Sequence, residues 1–250
     1  MGNMGSALYK GFIESAASEN VSVYCYDKFK PTGTSLETLV KNCKYVVLAV
    51  KPQTVDEVLK EIAPMLIPEN VIISICAGIS AEYIRSRTTV SQKVVCVMPN
   101  TPMMLGEGAS AVSADDLISP EELDFVCGVI GSPSPAVEVI PPNKMNEIIS
   151  LNGSSPAFIY LFAKCFIDYA VEQGIECKAA LNLFSQSLIG AGKMLSQSDM
   201  TVDELIEQVS SKGGTTVAGL EQLRQNGLDD IIKAACKACT ARAYELGKLF

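Results

Sequence analysis

Short β-branched, nearly continuous apolar runs recur through the first half of the chain, at 21–26 (VSVYCY), 45–50 (YVVLAV), 71–75 (VIISI) and 94–98 (VVCVM). Unbroken apolar character over so few residues predicts strands buried on both faces, as in a parallel sheet. Between the runs, apolar positions fall at helical spacing over 5–18, 35–42, 54–63 and 80–86. This alternation predicts an α/β domain with a doubly wound parallel sheet. Two further strands are expected at 109–113 and 136–140, flanking a helix at 120–130.

The pattern changes at Pro141-Pro142. Beyond it the spacing predicts helices over 156–173, 178–195, 201–210, 215–226 and 228–249. Pro156 suits a first helical turn, and Gly174 and Gly227 suit helix ends. The expected division is therefore a sheet domain over 1–142 and an all-helical domain over 143–250. The 156–173 helix is apolar nearly all round, more than one small domain can bury. Either a helix-to-helix homodimer interface or a central position within one subunit would cover it.

Composition narrows the chemistry. The 250 residues contain no histidine, which removes His general bases, His-ligated zinc and Ser-His or Cys-His nucleophiles. A net charge of -8 disfavours a nucleic-acid backbone as partner. The nine cysteines lie scattered through apolar runs, as expected of reduced thiols in the cytoplasm. Cys236 and Cys239 form C-K-A-C, but no second pair stands at zinc spacing, so they are read as small helix residues and no metal is expected. The apolar stretch 157–171 is too short to span a bilayer and carries Lys164 and Asp168, so no membrane partner is expected.

The chain opens Gly2-Asn3-Met4-Gly5 and runs into a helix. This matches the last part of G-x-G-x-x-G, whose glycines let a backbone approach a pyrophosphate at a helix start. The first glycine of that motif and a preceding strand are missing, so the start of the sequence is expected to be incomplete. Asp27 ends the 21–26 run, about 25 residues beyond Gly2, where an acid would bind a ribose 2′-hydroxyl. Lys28 and Lys30 follow and could instead meet a 2′-phosphate. Ala49-Val50-Lys51-Pro52, Ala77-Gly78 and Met98-Pro99-Asn100-Thr101-Pro102 each end a run, at the strand edge where α/β ligands bind. The 209–216 segment, VSSKGGTT, lies between two helices. Its hydroxyls and successive flexible backbone N–H groups at a helix start suit a carboxylate, although a plain interhelical loop capped by Thr has the same letters.

Taken together, these segments resemble the pyrroline-5-carboxylate reductase family. The resemblance covers essentially the whole chain and rests on G-N-M-G, A-V-K-P, M-P-N-T-P, N-G-S-S-P-A-F at 152–158 and V-S-S-K-G-G-T-T at 209–216. It implies a Rossmann-like domain followed by a helical dimerisation domain, and dimers that assemble further into decamers. It implies hydride transfer from NADPH or NADH to the C=N carbon of a cyclic imine carboxylate, giving L-proline. Carried onto this sequence, Gly2, Asn3, Met4 and Gly5 hold the pyrophosphate. Asp27 and Lys28 lie by the ribose. Ala49, Val50, Lys51, Pro52, Ile75, Cys76 and Ala77 line the nicotinamide side, and Asn100 and Gln208 contact the cofactor. Ser211, Gly213, Gly214, Thr215 and Thr216 hold the substrate, with Thr216 nearest the ring nitrogen and assigned the catalytic role.

The sequence departs from the family at Pro141-Pro142-Asn143-Lys144, where an acid is common, at Asn152-Gly153-Ser154-Ser155 for Ser-Gly-Ser-Gly, and at Gln208 for Asn. Two other readings follow from the residues. A β-hydroxyacid-dehydrogenase-like enzyme would use Lys144 as acid and base, but lacks the 209–216 segment. A non-catalytic NAD(P)-sensing relative would bind the cofactor without turnover.

Overall fold

The computed structural model describes residues 2–15, 21–30 and 32–247. The chain forms two compact units, Met1–Pro156 with Ala238–Phe250, and Ala157–Lys237.

The first unit is built on a sheet of β1 (Tyr45–Leu48), β2 (Val71–Ser74), β3 (Lys93–Pro99), β4 (Ala109–Ser113) and β5 (Ala136–Val139), in that spatial order. β1, β2 and β3 run parallel, with Tyr45 opposite Val71 and Val71 opposite Lys93. β4 turns back antiparallel to β3 and pairs parallel with β5. The sheet is thus parallel in the main, with one reversal where a parallel pair was expected. Parallel strands need a crossover of a dozen or more residues. Residues 100–108 supply only the 3-10 turn Thr101–Leu105 and Gly106, so the chain folds back.

The central strands β2, β3 and β4 are buried on both faces, as their apolar runs require. Val71, Ile73, Val95 and Val97 pack with Leu8 and Phe12 of α1 (Asn3–Ile13) and with Val126, Val129 and Ile130 of α5 (Pro120–Gly131). The alternate residues Ile72 and Val94 pack on the other face. There they meet Val40 of α2 (Leu36–Asn42), Val55, Leu59 and Ile62 of α3 (Val55–Ile62), and Ile84 of α4 (Ala81–Arg87). Each such side chain contributes roughly 1.5–3 kcal/mol of burial.

The strand expected at 21–26 is not one. Its residues join no ladder, and beyond them Asp27 and Lys30 close a short bridge. A strand exists only through its partner's hydrogen bonds, and among the described residues β1 is the sheet edge, with Val47 still exposed. The helix expected over 5–18 starts earlier and is capped at Glu14; positions 16–18 of that expectation lie outside the described residues.

At the amino ends of the strands a buried acid ties three elements. Glu122 of α5 accepts from Lys93 at 2.8 and 3.0 Å and pairs with Lys44 at 3.1 Å. Burial alone would raise its carboxyl. The Lys93 ammonium, the Ser119 N–H and Lys44 outweigh that and bring it down to about 2.

α6 (Ile148–Leu151) follows β5, and the rest is helical: α7 (Ser155–Glu172), α8 (Cys177–Gln197), α9 (Val202–Gln208), α10 (Thr215–Gln225) and α11 (Leu228–Gly247). Within 157–237, Ala180 is the sole buried residue among those described. Phe162, Phe166 and Phe184 cluster, with Phe166 and Phe184 stacked at 4.6 Å between centroids and Phe162 edge-on to Phe166 at 4.9 Å. Large apolar side chains of α7 and α8 stay open, including Tyr160, Leu161, Tyr169, Leu183 and Ile189. These faces exceed what a lone soluble unit exposes.

Among the described residues, no helix is long and apolar enough to cross a membrane, and no cluster of three or more His, Cys, Asp or Glu is placed to hold a metal. All nine cysteines are free.

Candidate active site

Helix starts in this protein differ in how their leading amides are met. α2, α4, α5, α8 and α9 are closed by a side-chain acceptor, from Ser35, Ser80, Ser119, Glu176 and Thr201 respectively. α3 has no side-chain cap but carries Asp56 and Glu57 in its first turn, and α1 and α10, like the single-turn α6, have neither a side-chain cap nor a first-turn acid. Their leading N–H groups remain free to meet an anion, with the positive end of the helix dipole behind them. α1 and α10 are also the helices that the glycine-bearing motifs introduce.

At α1, Gly2 is the N-cap and Asn3, Met4 and Gly5 form the first turn; Ser6 N–H already donates to Gly2 O at 2.9 Å. A Cβ on Gly2 would meet nothing within 4 Å, so open space lies above it. α1 packs against the 3-10 turn Thr101–Leu105, which leaves the carboxyl end of β3.

Three of the expected cofactor segments leave the carboxyl ends of adjacent parallel strands. Ala49, Val50, Lys51 and Pro52 follow β1, and Pro52 opens the 3-10 turn that leads into α3. Ile75, Cys76 and Ala77 follow β2. Cys76 is buried, and its thiol donates to Leu48 O and Val50 O, each at 3.3 Å. Burial pushes that thiol's pKa up, so it is a pin between strand ends and offers a ligand only its backbone. Ala77 is the exposed member of the trio, and Ile75 packs into the core. Asn100 follows β3 and spends its Oδ1 on the Ala109 N–H at 2.9 Å, holding the β3–β4 turn. Asp27 and Lys28 stand apart from these segments in sequence, on the turn after residues 21–26. The Phe29 N–H donates to Asp27 Oδ1 at 2.8 Å, and Lys28 is ion-paired with Glu57 of α3 at 2.6 Å.

Sequence reasoning left out Asn152 as a site residue. Its Nδ2 donates to Met98 O at the end of β3, at 2.5 Å. Its Oδ1 is the one buried side-chain acceptor without a partner among the described residues. The departure from Ser at this position was the signal that marked it. The open, uncapped start of α1 and this orphaned acceptor on the carboxyl edge both fit a dinucleotide.

The second unit carries the 209–216 turn. α9 ends at Gln208, which is exposed, and Ser210 N–H closes onto Glu207 O. Gly213 takes φ +74°, a left-handed conformation open to glycine. Gly214 is the N-cap of α10, and its N–H donates to Ser211 O at 2.9 Å. A Cβ on Gly214 would stand 2.8 Å from Ser211 Oγ and 2.9 Å from Ser211 O, so the turn admits no side chain there. Ser211, Thr215 and Thr216 are exposed around the free α10 amides. An anion seated on those amides would meet hydroxyl groups as well. Lys144 ends the 3-10 turn Pro142–Lys144 in the first unit, exposed and in no ion pair among the described residues.

Residues 142–246 match the family described as pyrroline-5-carboxylate reductase dimerisation, and residues 1–78 match NADP oxidoreductase coenzyme F420-dependent. The chain is 33% identical to pyrroline-5-carboxylate reductase 3 of Xenopus laevis, over 99% of its length and 94% of the relative's. The chain belongs to the pyrroline-5-carboxylate reductase family. The reductase of Methanosarcina acetivorans is 31% identical over 99% of this chain and 96% of its own. Among solved structures, the Plasmodium falciparum pyrroline carboxylate reductase with NADP bound superposes at a TM-score of 0.86, with 30% identity, over 98% of this chain and 96% of that one. The Coxiella burnetii pyrroline-5-carboxylate reductase gives 0.87 at 25% identity, over 98% and 95%. These likenesses run through both the sheet and the helical half.

Proposed function

We propose that the protein is an NAD(P)H-dependent pyrroline-5-carboxylate reductase, reducing the cyclic imine 1-pyrroline-5-carboxylate to L-proline, the last step of proline biosynthesis. The observation that carries this reading is the start of α10. Its amides are uncapped, they follow a turn that Gly213 and Gly214 alone permit, and Thr215 and Thr216 flank them. That arrangement suits a small carboxylate with a polar atom beside it.

When bound, reduced nicotinamide supplies a hydride to the C=N carbon. The start of α1 holds the pyrophosphate through Gly2, Asn3, Met4 and Gly5. The turns after β1, β2 and β3 give flat, small-residue ground for the nicotinamide. Ser211, Gly213, Gly214 and Thr215 hold the carboxylate, and the Thr216 hydroxyl orients the ring nitrogen. The imine protonated by solvent is already electrophilic, so alignment matters more than a strong acid. This chemistry needs no histidine, and the chain has none.

The working division is a dinucleotide-binding domain over 1–142 and a helical domain over 143–250. The exposed faces of α7 and α8 and the match to the dimerisation family support a homodimer built on the helices. Further assembly to a decamer and a cytoplasmic setting complete the proposal. The test is direct: purified protein is given pyrroline-5-carboxylate with NADPH or NADH, and L-proline is quantified. Cofactor binding without proline formation would remove the reading.

A further inference from the structure

A series of short ties joins the carboxyl ends of β2 and β3 through the end of the last helix. Asn152, the C-cap of α6, donates from Nδ2 to Met98 O near the end of β3 at 2.5 Å. Glu147 stands at the other end of α6 as its N-cap. Its Oε1 accepts from the Tyr244 hydroxyl at 2.8 Å, between residues 97 positions apart in sequence. That bond lowers the Glu147 carboxyl and raises the Tyr244 hydroxyl, so the phenol stays the donor. Tyr244 lies near the end of α11, beside Ala243, the buried residue of that helix. α11 starts in the second unit, and its residues from Ala238 onward belong to the first.

Just beyond Tyr244 the helix reaches the turn after β2. A Cβ on Gly78 would stand 3.8 Å from Leu246 Cβ, and a Cβ on Gly247 would stand 3.8 Å from Gly78 O. The two halves of that turn are held differently. Cys76 is pinned through its thiol to Leu48 O and Val50 O. Ala77 is exposed, and Gly78 takes φ +77° with no side chain to anchor it. Ile79 N–H closes the turn onto Cys76 O at 3.3 Å, toward the long end of hydrogen-bond geometry. The outer half of the turn therefore depends on what packs against it, and the end of α11 is what does. A helix end frays unless something ties it, and Tyr244 supplies the tie.

We propose that the end of α11 positions the nicotinamide-side turn, with Tyr244 and Leu246 as positioning residues that act through Glu147 and Gly78 and do not themselves hold the ligand. The inference rests on the reductase reading, which sets Ala77 beside the nicotinamide. It gives the carboxyl end of the chain a role in the site: a turn already ordered before binding leaves less to be ordered when the ligand arrives.

The test separates the nicotinamide half of the cofactor from the rest. NADPH and NADH binding is followed by nicotinamide fluorescence on the unmutated full chain, Leu246→Ala, Leu246→Met and Tyr244→Phe. ADP-ribose and its 2′-phosphate, which lack nicotinamide, are titrated by calorimetry. Leu246→Ala should weaken the bound dinucleotide roughly 3- to 10-fold, the cost of ordering the loosened turn, and leave the matching ADP-ribose ligand unchanged. Tyr244→Phe should do the same by roughly 2- to 10-fold, for one lost hydrogen bond. Leu246→Met refills the contact and should restore most of the affinity. A thermal scan checks that each variant is folded. Equal weakening of dinucleotide and ADP-ribose ligand, or no weakening of either, overturns the assignment. The expected split in a protein that makes no proline would sink the reductase reading and leave this one standing; proline formation without the split does the reverse. Absence of dinucleotide binding overturns both.

Discussion

Replacing Gly214 by alanine adds one methyl group at the most constrained point of the α10 turn. The added Cβ would stand 2.9 Å from Ser211 O and 2.8 Å from Ser211 Oγ, both well inside van der Waals contact. The hydroxyl can rotate away, but the carbonyl cannot. It is fixed by the Gly214 N–H that donates to it at 2.9 Å. The turn must therefore open, giving up that bond and swinging the α10 amides off their aim. A lost backbone hydrogen bond costs about 0.5–1.5 kcal/mol, and a charge-assisted bond to a carboxylate about 1.5–3 kcal/mol. Together they correspond to a fall in kcat/KM of roughly 30-fold at least, carried mainly by KM for the imine. The control lies one turn further on. Gly219, inside α10, has nothing within 4 Å of an added Cβ. Gly219→Ala should keep activity and hold or slightly raise stability, because alanine favours the helix by roughly 0.5–1 kcal/mol. Steady-state kinetics with the imine varied, together with NADPH affinity measured separately, reads both variants. If Gly214→Ala keeps its KM, the 211–216 turn does not hold the substrate.

Thr216→Val should lower kcat/KM roughly 10- to 150-fold, and Thr216→Ser should retain most activity, since the lost interaction is one hydroxyl bond to a charged iminium; Thr215→Val should lose less, and equal losses in steady-state kinetics would mean the segment acts through packing. Glu122 sets an acid limit on stability. Its folded carboxyl lies at about 2 against the ordinary 4.5, so its contribution is full above about 4.5 and drains away as pH falls toward 2. That is on the order of 3 kcal/mol, and urea melts of Glu122→Gln should be lower at neutral pH and flatter across this window. Leu161→Asp places a charge on the open face of α7 and should convert a dimer to monomer in light scattering; an unmutated protein that is already an active monomer would contradict the interface.

Periodicity reported the elements well where burial is two-sided. β2 and β3 and the helix between them follow from runs such as 71–75, because a strand covered on both faces has no polar position to blur it. What failed was whatever depended on a distant partner. The 21–26 run has strand composition, but composition makes no ladder. The direction of β4 hangs on the length of residues 100–108, which apolar patterning ignores. The site was legible through its glycines: the uncapped starts of α1 and α10 are where G-N-M-G and S-K-G-G-T-T stand. Side-chain commitments were not. Cys76 faces the carbonyls of Leu48 and Val50, Asn100 braces a turn, and Lys28 is held by an acid many residues away, none of which a linear spacing reveals. Asn152 shows the converse, a position marked only as a departure that holds the orphaned buried acceptor at the end of β3.

The measurement that bears most directly on the proposed activity is the stoichiometry of one reaction. Purified protein is incubated with pyrroline-5-carboxylate and NADPH, and cofactor oxidised is compared with L-proline formed. One proline per NADPH, abolished without the imine and strongly reduced in Gly214→Ala, is the expected result. NADPH bound but not oxidised in the presence of the imine, or oxidised without proline appearing, would contradict it.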